Sequence, residues 1–222
     1  MVSFPAIDHA ILLEQLQRLI VDPDLLWLCR TILDSGRGVL SEAYDMHYFP
    51  GDDLFAVNRP RGLPIGNLTS QFWGNVYLDR LDQVVKRDLG CRAYLRYVDD
   101  FLLFADDRAT LWRWRQAVVD ALAALRLTLH EARCHPRPVS EGIPFLGFVV
   151  YPDHRRLKRR KGITFGRHMR ALLAQYHAGQ IPLQQVTASV QGWVNHVRYG
   201  ATYGLRRSLL RAAKLRPPHR AP

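Results

Sequence analysis

The sequence predicts a mixed α/β chain that ends in a strongly basic helical segment. Three observations predict it. Two β-prone runs, Arg92 to Tyr97 and Phe101 to Ala105, flank Val98-Asp99-Asp100 and read as a hairpin with carboxylates at its bend. Thr110 to Leu125 carries Leu111, Trp114, Val118, Ala121, Leu122 and Leu125 at the helical period. Beyond Asp153 the acidic residues stop altogether while apolar residues continue at helical spacing.

The remaining elements follow in order. Ile11, Leu12, Leu16, Leu19 and Ile20 mark a helical face over Ala10 to Ile20, and a second helix is expected from Asp24 to Leu33, stopped by Gly36. Ser41 to Pro64 is rich in Gly, Pro and Asp and reads as loop, with one strand around Leu54 to Val57. Thr69 to Arg87 is helical through Phe72, Val76, Leu78, Leu81 and Val85, with Asn67, Thr69 or Ser70 as its cap. After the amphipathic helix, Leu127 to Leu129 is expected as a short strand and Pro144 to Tyr151 as a buried one. Three helices are expected in the basic segment, around Arg167 to His177, Leu183 to Tyr199 and Thr202 to Ala213.

With 222 residues, 48% of them hydrophobic, the chain can bury one substantial core and a smaller second unit. It has no apolar run of membrane-spanning length and no secretory leader, so no membrane partner and a cytoplasmic location are expected. Cys29, Cys91 and Cys134 lack metal-ligand spacing and read as ordinary thiols. The formal charge of +11 is segregated: residues 1–153 hold 16 Lys/Arg against 20 Asp/Glu, net −4, while residues 154–222 hold 15 Lys/Arg and no acid. A segment so one-sided repels itself unless a polyanion lies against it, and its helix-period residues Met169, Leu172, Leu173 and Tyr176 argue for a folded nucleic-acid-binding unit. The composition shift sets expected domains at 1–153 and 154–222.

Asp99 and Asp100 are adjacent carboxylates between apolar strands, which repel one another unless a cation neutralises them. Hard oxygen ligands suit Mg²⁺ or Mn²⁺, bound through one or two carboxylates plus substrate phosphates. An Asp-Asp pair alone fits a surface turn better than a metal site, since such pairs are common in hairpin bends. Its surroundings decide: Tyr97-Val98-Asp99-Asp100, within the run from Arg92 to Asp107, resembles the catalytic hairpin of reverse transcriptases.

Upstream, the stretch Gly62-Leu63-Pro64-Ile65-Gly66-Asn67-Leu68-Thr69-Ser70-Gln71 resembles a second motif of that family. Most reverse transcriptases carry Gln-Gly followed by Ser-Pro there. Ile65-Gly66 and Ser70-Gln71 instead resemble the enzymes of diversity-generating retroelements, which copy a template RNA with errors at adenines. Gly142 to Phe148 is similar to the family's primer-gripping hairpin, and Ser189 to His196 to the thumb of the same enzymes.

The resemblance implies a palm, in which an antiparallel sheet is backed by helices, followed by a helical thumb, with the fingers largely missing. It implies RNA-directed DNA synthesis with two Mg²⁺ or Mn²⁺ ions. Asp99 and Asp100 are then the catalytic and metal-binding acids, and Phe4, Ile65, Gly66 and Gln71 line the nucleotide site. Arg198, Arg206, Arg207 and Arg211 track nucleic-acid backbones. Template RNA, a primer or cDNA strand, deoxynucleoside triphosphates and a small basic accessory protein are the implied partners. Ser3-Phe4-Pro5-Ala6-Ile7-Asp8-His9 looks like the second half of the first palm motif, whose metal-binding Asp would fall just before Met1. Asp8 is then expected to cap the following helix, and the chain to be truncated and inactive on its own. A catalytically inactive, nucleic-acid-binding remnant is the alternative; a metal-dependent nuclease lacks further ligands in sequence.

Overall fold

The computed structural model describes residues 4–37, 45–64, 66–130 and 134–212. The chain forms two compact units, Met1–Pro136 and Arg137–Pro222. Among the described residues the architecture is mixed α/β, with seven α-helices and two small antiparallel sheets. No helix among them is long and apolar enough to cross a membrane.

In the first unit, α1 (His9–Leu19) starts at Asp8, whose carboxylate accepts from the amides of Ala10 and Ile11 at 2.9 and 3.2 Å. Its Leu12 and Leu16 are buried, whereas Leu19 is solvent-exposed. Asp22 caps α2 (Pro23–Ser35), Pro23 opens it and Gly36 closes it. Helix α3 (Leu68–Gln83) continues into a π-helical turn over Val84–Asp88, and α4 (Arg108–Ala124) is capped by Asp107.

The face α3 buries is shifted from the expected one. Trp73, Tyr77, Leu78, Leu81 and Val85 enter the core, while Phe72 is 60% exposed. Tyr77 can replace an aliphatic residue because its polar end is satisfied: the hydroxyl donates to the Leu125 carbonyl at 2.6 Å and accepts from the Asp8 amide at 3.3 Å. Burial pushes this phenol far above its ordinary range. Ile7, Leu33, Leu63, Leu122, Leu125 and Leu127 complete the core, each fully buried aliphatic side chain stabilising by roughly 1.5–3 kcal/mol.

A polar cluster closes the edge of this core. Asp8 Oδ2 accepts from Arg59 Nε at 2.8 Å and faces Arg126 Nε at 3.5 Å. Arg126 also pairs with Asp52, whose second oxygen accepts from the Phe49 amide at 2.9 Å. That amide hydrogen bond, together with Arg126, holds the Asp52 carboxyl below its ordinary value. His9 Nε2 donates to the Gly62 carbonyl at 2.7 Å. Cys29, Cys91 and Cys134 are free thiols, and burial raises the first and last of the three.

Strands β1 (Ala93–Tyr97) and β2 (Asp100–Phe104) pair antiparallel from Ala93 opposite Phe104 to Tyr97 opposite Asp100. Tyr94, Phe101 and Leu103 pack on the core. Two expected strands are absent. Leu54–Asn58 is a 3-10 helix, because Asp53 caps it through the Phe55 amide. Leu127 to Leu129 has no strand partner among the described residues, and the Leu127 N–H donates a hydrogen bond back to the Leu122 carbonyl.

In the second unit the expected single strand at Pro144 to Tyr151 is a hairpin. Leu146 (φ 43°) and Gly147 (φ 88°) form a two-residue turn between β3 (Ile143–Phe145) and β4 (Phe148–Val150). A third strand, β5 (Arg155–Leu157), pairs with β4. Helices α5 (Arg159–His177), α6 (Leu183–Val197) and α7 (Tyr203–Ala212) follow. Helix α5 begins eight residues before its expected start, since its first turns are cationic and glycine-rich and carry no apolar period. Those glycines instead admit a neighbour: a Cβ on Gly162 or Gly166 would lie 3.3 Å from Leu205 or Leu209 of α7. Phe165 and Trp193 stack in parallel at 4.1 Å and join α5 to α6. The sheet belongs with these helices, through an Ala201 amide to Arg155 carbonyl bond of 2.6 Å and a Phe148 to His196 ring contact of 5.4 Å. The compact units therefore meet at Pro136 and Arg137, upstream of the charge boundary at 153.

Candidate active site and nucleic-acid interface

The β1–β2 register leaves Val98 and Asp99 as a two-residue hairpin loop. Such loops take a left-handed φ at their first residue, a role suited to Gly. Here Val98 fills it with φ 56°. A β-branched side chain in that region costs about 1–3 kcal/mol, and survives only where its surroundings hold it.

One side chain does much of the holding. Strand alternation turns Arg96 inward, where its guanidinium makes four bonds: Nε and Nη2 to the two oxygens of Asp82 at 2.8 and 2.6 Å, and Nη1 to Asn75 Oδ1 at 2.9 Å and the Val98 carbonyl at 3.0 Å. Tyr94 adds a hydroxyl bond to Asp82 at 2.7 Å, and both side chains of the Arg96–Asp82 pair are less than 15% exposed. Asp82 raises both the Arg96 guanidinium and the Tyr94 phenol above their ordinary ranges, burial contributing most for Tyr94. Arg96 stood in the sequence beside the motif, but its partners lie on a helix and only the fold brings them together.

Asp99 is half-buried at the bend and Asp100 is exposed at the start of β2. Neither carboxylate has a hydrogen-bond or ion-pair partner among the described residues. Free, adjacent carboxylates at a fixed bend fit a divalent cation that takes its other ligands from substrate phosphates. They do not make a self-sufficient metal cage: no group of three or more His, Cys, Asp or Glu stands together among the described residues.

The other expected site residues are distributed as follows. Gln71 is exposed on the first turn of α3, on the helical stripe that carries Asn75 and Asp82 at later turns. Gly66 precedes that helix with φ 100° and open space where a Cβ would stand, so the backbone conformation itself calls for glycine. Ile65 lies outside the described residues, as does the side chain of Phe4, whose backbone begins a 3-10 turn over Phe4–Ala6. Asp8 caps α1 and is committed to Arg59 through its other oxygen.

In the second unit, Arg206, Arg207 and Arg211 line one cleft of about 580 Å³ with Val194, Tyr203 and Leu210. Tyr203 is 70% exposed, which leaves its ring open for stacking. Arg198 does not line this cleft; it ends α6, exposed, with its guanidinium 5.2 Å from the Tyr199 ring. A smaller cleft of about 320 Å³ between α5 and α7 gathers Lys158, Arg159 and Arg170, cations that no motif had singled out.

No curated protein matches the chain. A family model described as reverse transcriptase (RNA-dependent DNA polymerase) matches residues 3–150, two thirds of the chain, and takes in the Asp99–Asp100 hairpin and the stretch preceding α3. The chain belongs to the reverse transcriptase family.

Proposed function

We propose that this chain is the palm and thumb of an RNA-directed DNA polymerase of the diversity-generating retroelement type, with residues 1–153 as partial palm and 154–222 as thumb. The observation that carries it is the pair of carboxylates, unpartnered among the described residues, at a strained hairpin bend inside the stretch that matches the family. Asp99, half-buried and fixed by the turn, is the principal metal-holding acid, and Asp100 supports it from the exposed strand end. A divalent cation held by Asp99 and Asp100 would supply positive charge to a bound triphosphate and Lewis acidity to the primer 3′-hydroxyl, the chemistry that nucleotidyl transfer with loss of pyrophosphate needs.

The protein's own part is positioning and electrostatics. Phe4, Ile65, Gly66 and Gln71 shape the nucleotide site. Gly66 lets the backbone approach the base pair, and Ile65 offers an apolar contact where most of the family offers an amide. The Arg206, Arg207 and Arg211 cleft, with Arg198 beyond it, holds template RNA and primer by their phosphates.

The test is primer extension on an RNA template with Mg²⁺, comparing the protein with its Asp99→Asn variant. Asp99→Asn should cut extension on the order of a thousandfold while leaving duplex binding within about twofold. Equal extension by both proteins would sink the assignment.

A further inference from the structure

We infer that Arg96 is a positioning residue for the metal-holding bend, acting as a clamp on the strained Val98 turn; this rests on the proposed metal role of Asp99. Among the described residues Asp99 has no partner to orient it, so its direction there depends on the backbone of the two-residue loop. That loop is held against its own preference, because Val98 stands at φ 56° where a β-branched residue is disfavoured. The Val98 carbonyl is the peptide group between the strained residue and Asp99, and Arg96 Nη1 donates to it at 3.0 Å. The guanidinium is itself anchored, by a two-pronged pair with Asp82 and by Asn75, both on α3. Helix, strand and bend are thus tied through one rigid planar group. Lysine keeps the charge but cannot supply four directed bonds in a plane.

Mn²⁺ binding to the full chain, read from the loss of the free-ion electron paramagnetic resonance signal, tests this without turnover. Asp99→Asn serves as the control for the metal reading and should remove the weak Mn²⁺ binding that the bend supplies without substrate; unchanged binding there would defeat the metal role itself. Given that loss, Arg96→Lys should weaken Mn²⁺ affinity by about tenfold, the lower end for residues that orient a metal ligand. Val98→Gly removes the strain that the clamp opposes. In its background the Arg96→Lys effect should therefore shrink to under about threefold, a coupling that contacting groups show in double-mutant cycles.

A clamp that only joined helix to strand would lower the melting temperature and leave Mn²⁺ affinity unchanged, or would give the same tenfold loss in both backgrounds. Either result overturns the proposal. Should Arg96→Lys fail to fold, Asn75→Ala provides the second test. It keeps the Arg96–Asp82 pair and frees only the nitrogen that faces Val98, and should weaken Mn²⁺ about threefold in the Val98 background and not in the Gly one. Equal affinity to wild type would overturn the proposal as well.

Discussion

Asp8 divides its two oxygens between different tasks, one capping α1 and the other receiving Arg59 with Arg126 nearby. Read as a cap alone, its replacement by Asn would cost almost nothing, since Asn caps a helix as well as Asp does. The ion cluster changes that expectation. Asp8→Asn keeps an acceptor for the Ala10 and Ile11 amides but leaves Arg59 and Arg126 without their shared carboxylate. Breaking a fully buried pair costs about 3–5 kcal/mol, and the exposure of Arg59 (41%) brings the expected loss to roughly 2–3 kcal/mol. Urea unfolding measures it. A loss under about 0.5 kcal/mol, the level of an ordinary surface change, would show that the cluster contributes nothing.

At the scale of elements, four helical or turn glycines differ in what surrounds them. Gly142, at φ 79° before β3, has Val149 Cγ1 at 2.6 Å and Tyr151 Cζ at 2.7 Å from where a Cβ would stand. Gly142→Ala should therefore destabilise the second unit by about 2–4 kcal/mol through overpacking and a disfavoured φ. Gly192, inside α6, has nothing within 4 Å of its Cβ direction and an ordinary helical φ. Gly192→Ala should stabilise by about 0.5–1 kcal/mol, mainly by restricting the unfolded chain. Thermal unfolding of the two variants in parallel checks both signs. The same reasoning explains α5: Gly162 and Gly166 weaken its intrinsic propensity but admit Leu205 and Leu209, so the helix is made by packing with α7.

Over the whole molecule, charge is as unevenly placed as the polar networks. The acids, including Asp8, Asp52, Asp82, Asp99 and Asp100, all fall in residues 1–153, and the last 69 residues carry 15 positive charges with none to oppose them. Nucleic-acid affinity of the full chain should fall about a thousandfold between 50 and 200 mM salt if some six phosphates are engaged. Replacing Arg206, Arg207 or Arg211 singly by Gln should lower the slope of log affinity against log salt by about one. Fluorescence anisotropy with an RNA–DNA duplex reads both quantities. A slope near zero would exclude an electrostatic grip.

Much of this was written in the order of residues. The hairpin, the amphipathic α4 and the basic helices were legible because each depends on local period and turn chemistry, and the family was legible because Tyr97 to Asp100 and Gly62 to Gln71 are contiguous strings. The short strands expected at Leu54 to Val57 and Leu127 to Leu129 do not form, because a cap or a helix-end backbone hydrogen bond outweighs β propensity there. The Leu146-Gly147 turn breaks the expected Pro144 to Tyr151 strand without a local signature, since it needs a left-handed φ at Leu; only the resemblance over Gly142 to Phe148 pointed to a hairpin there. Only the tertiary structure could show that Arg96 reaches Asp82 and Asn75, or that Asp8 meets Arg59 and Arg126. A local signal fixes where a side chain begins; the groups that satisfy its charge and hydrogen bonds come from segments 14 to 118 residues away, and folding alone brings them within reach.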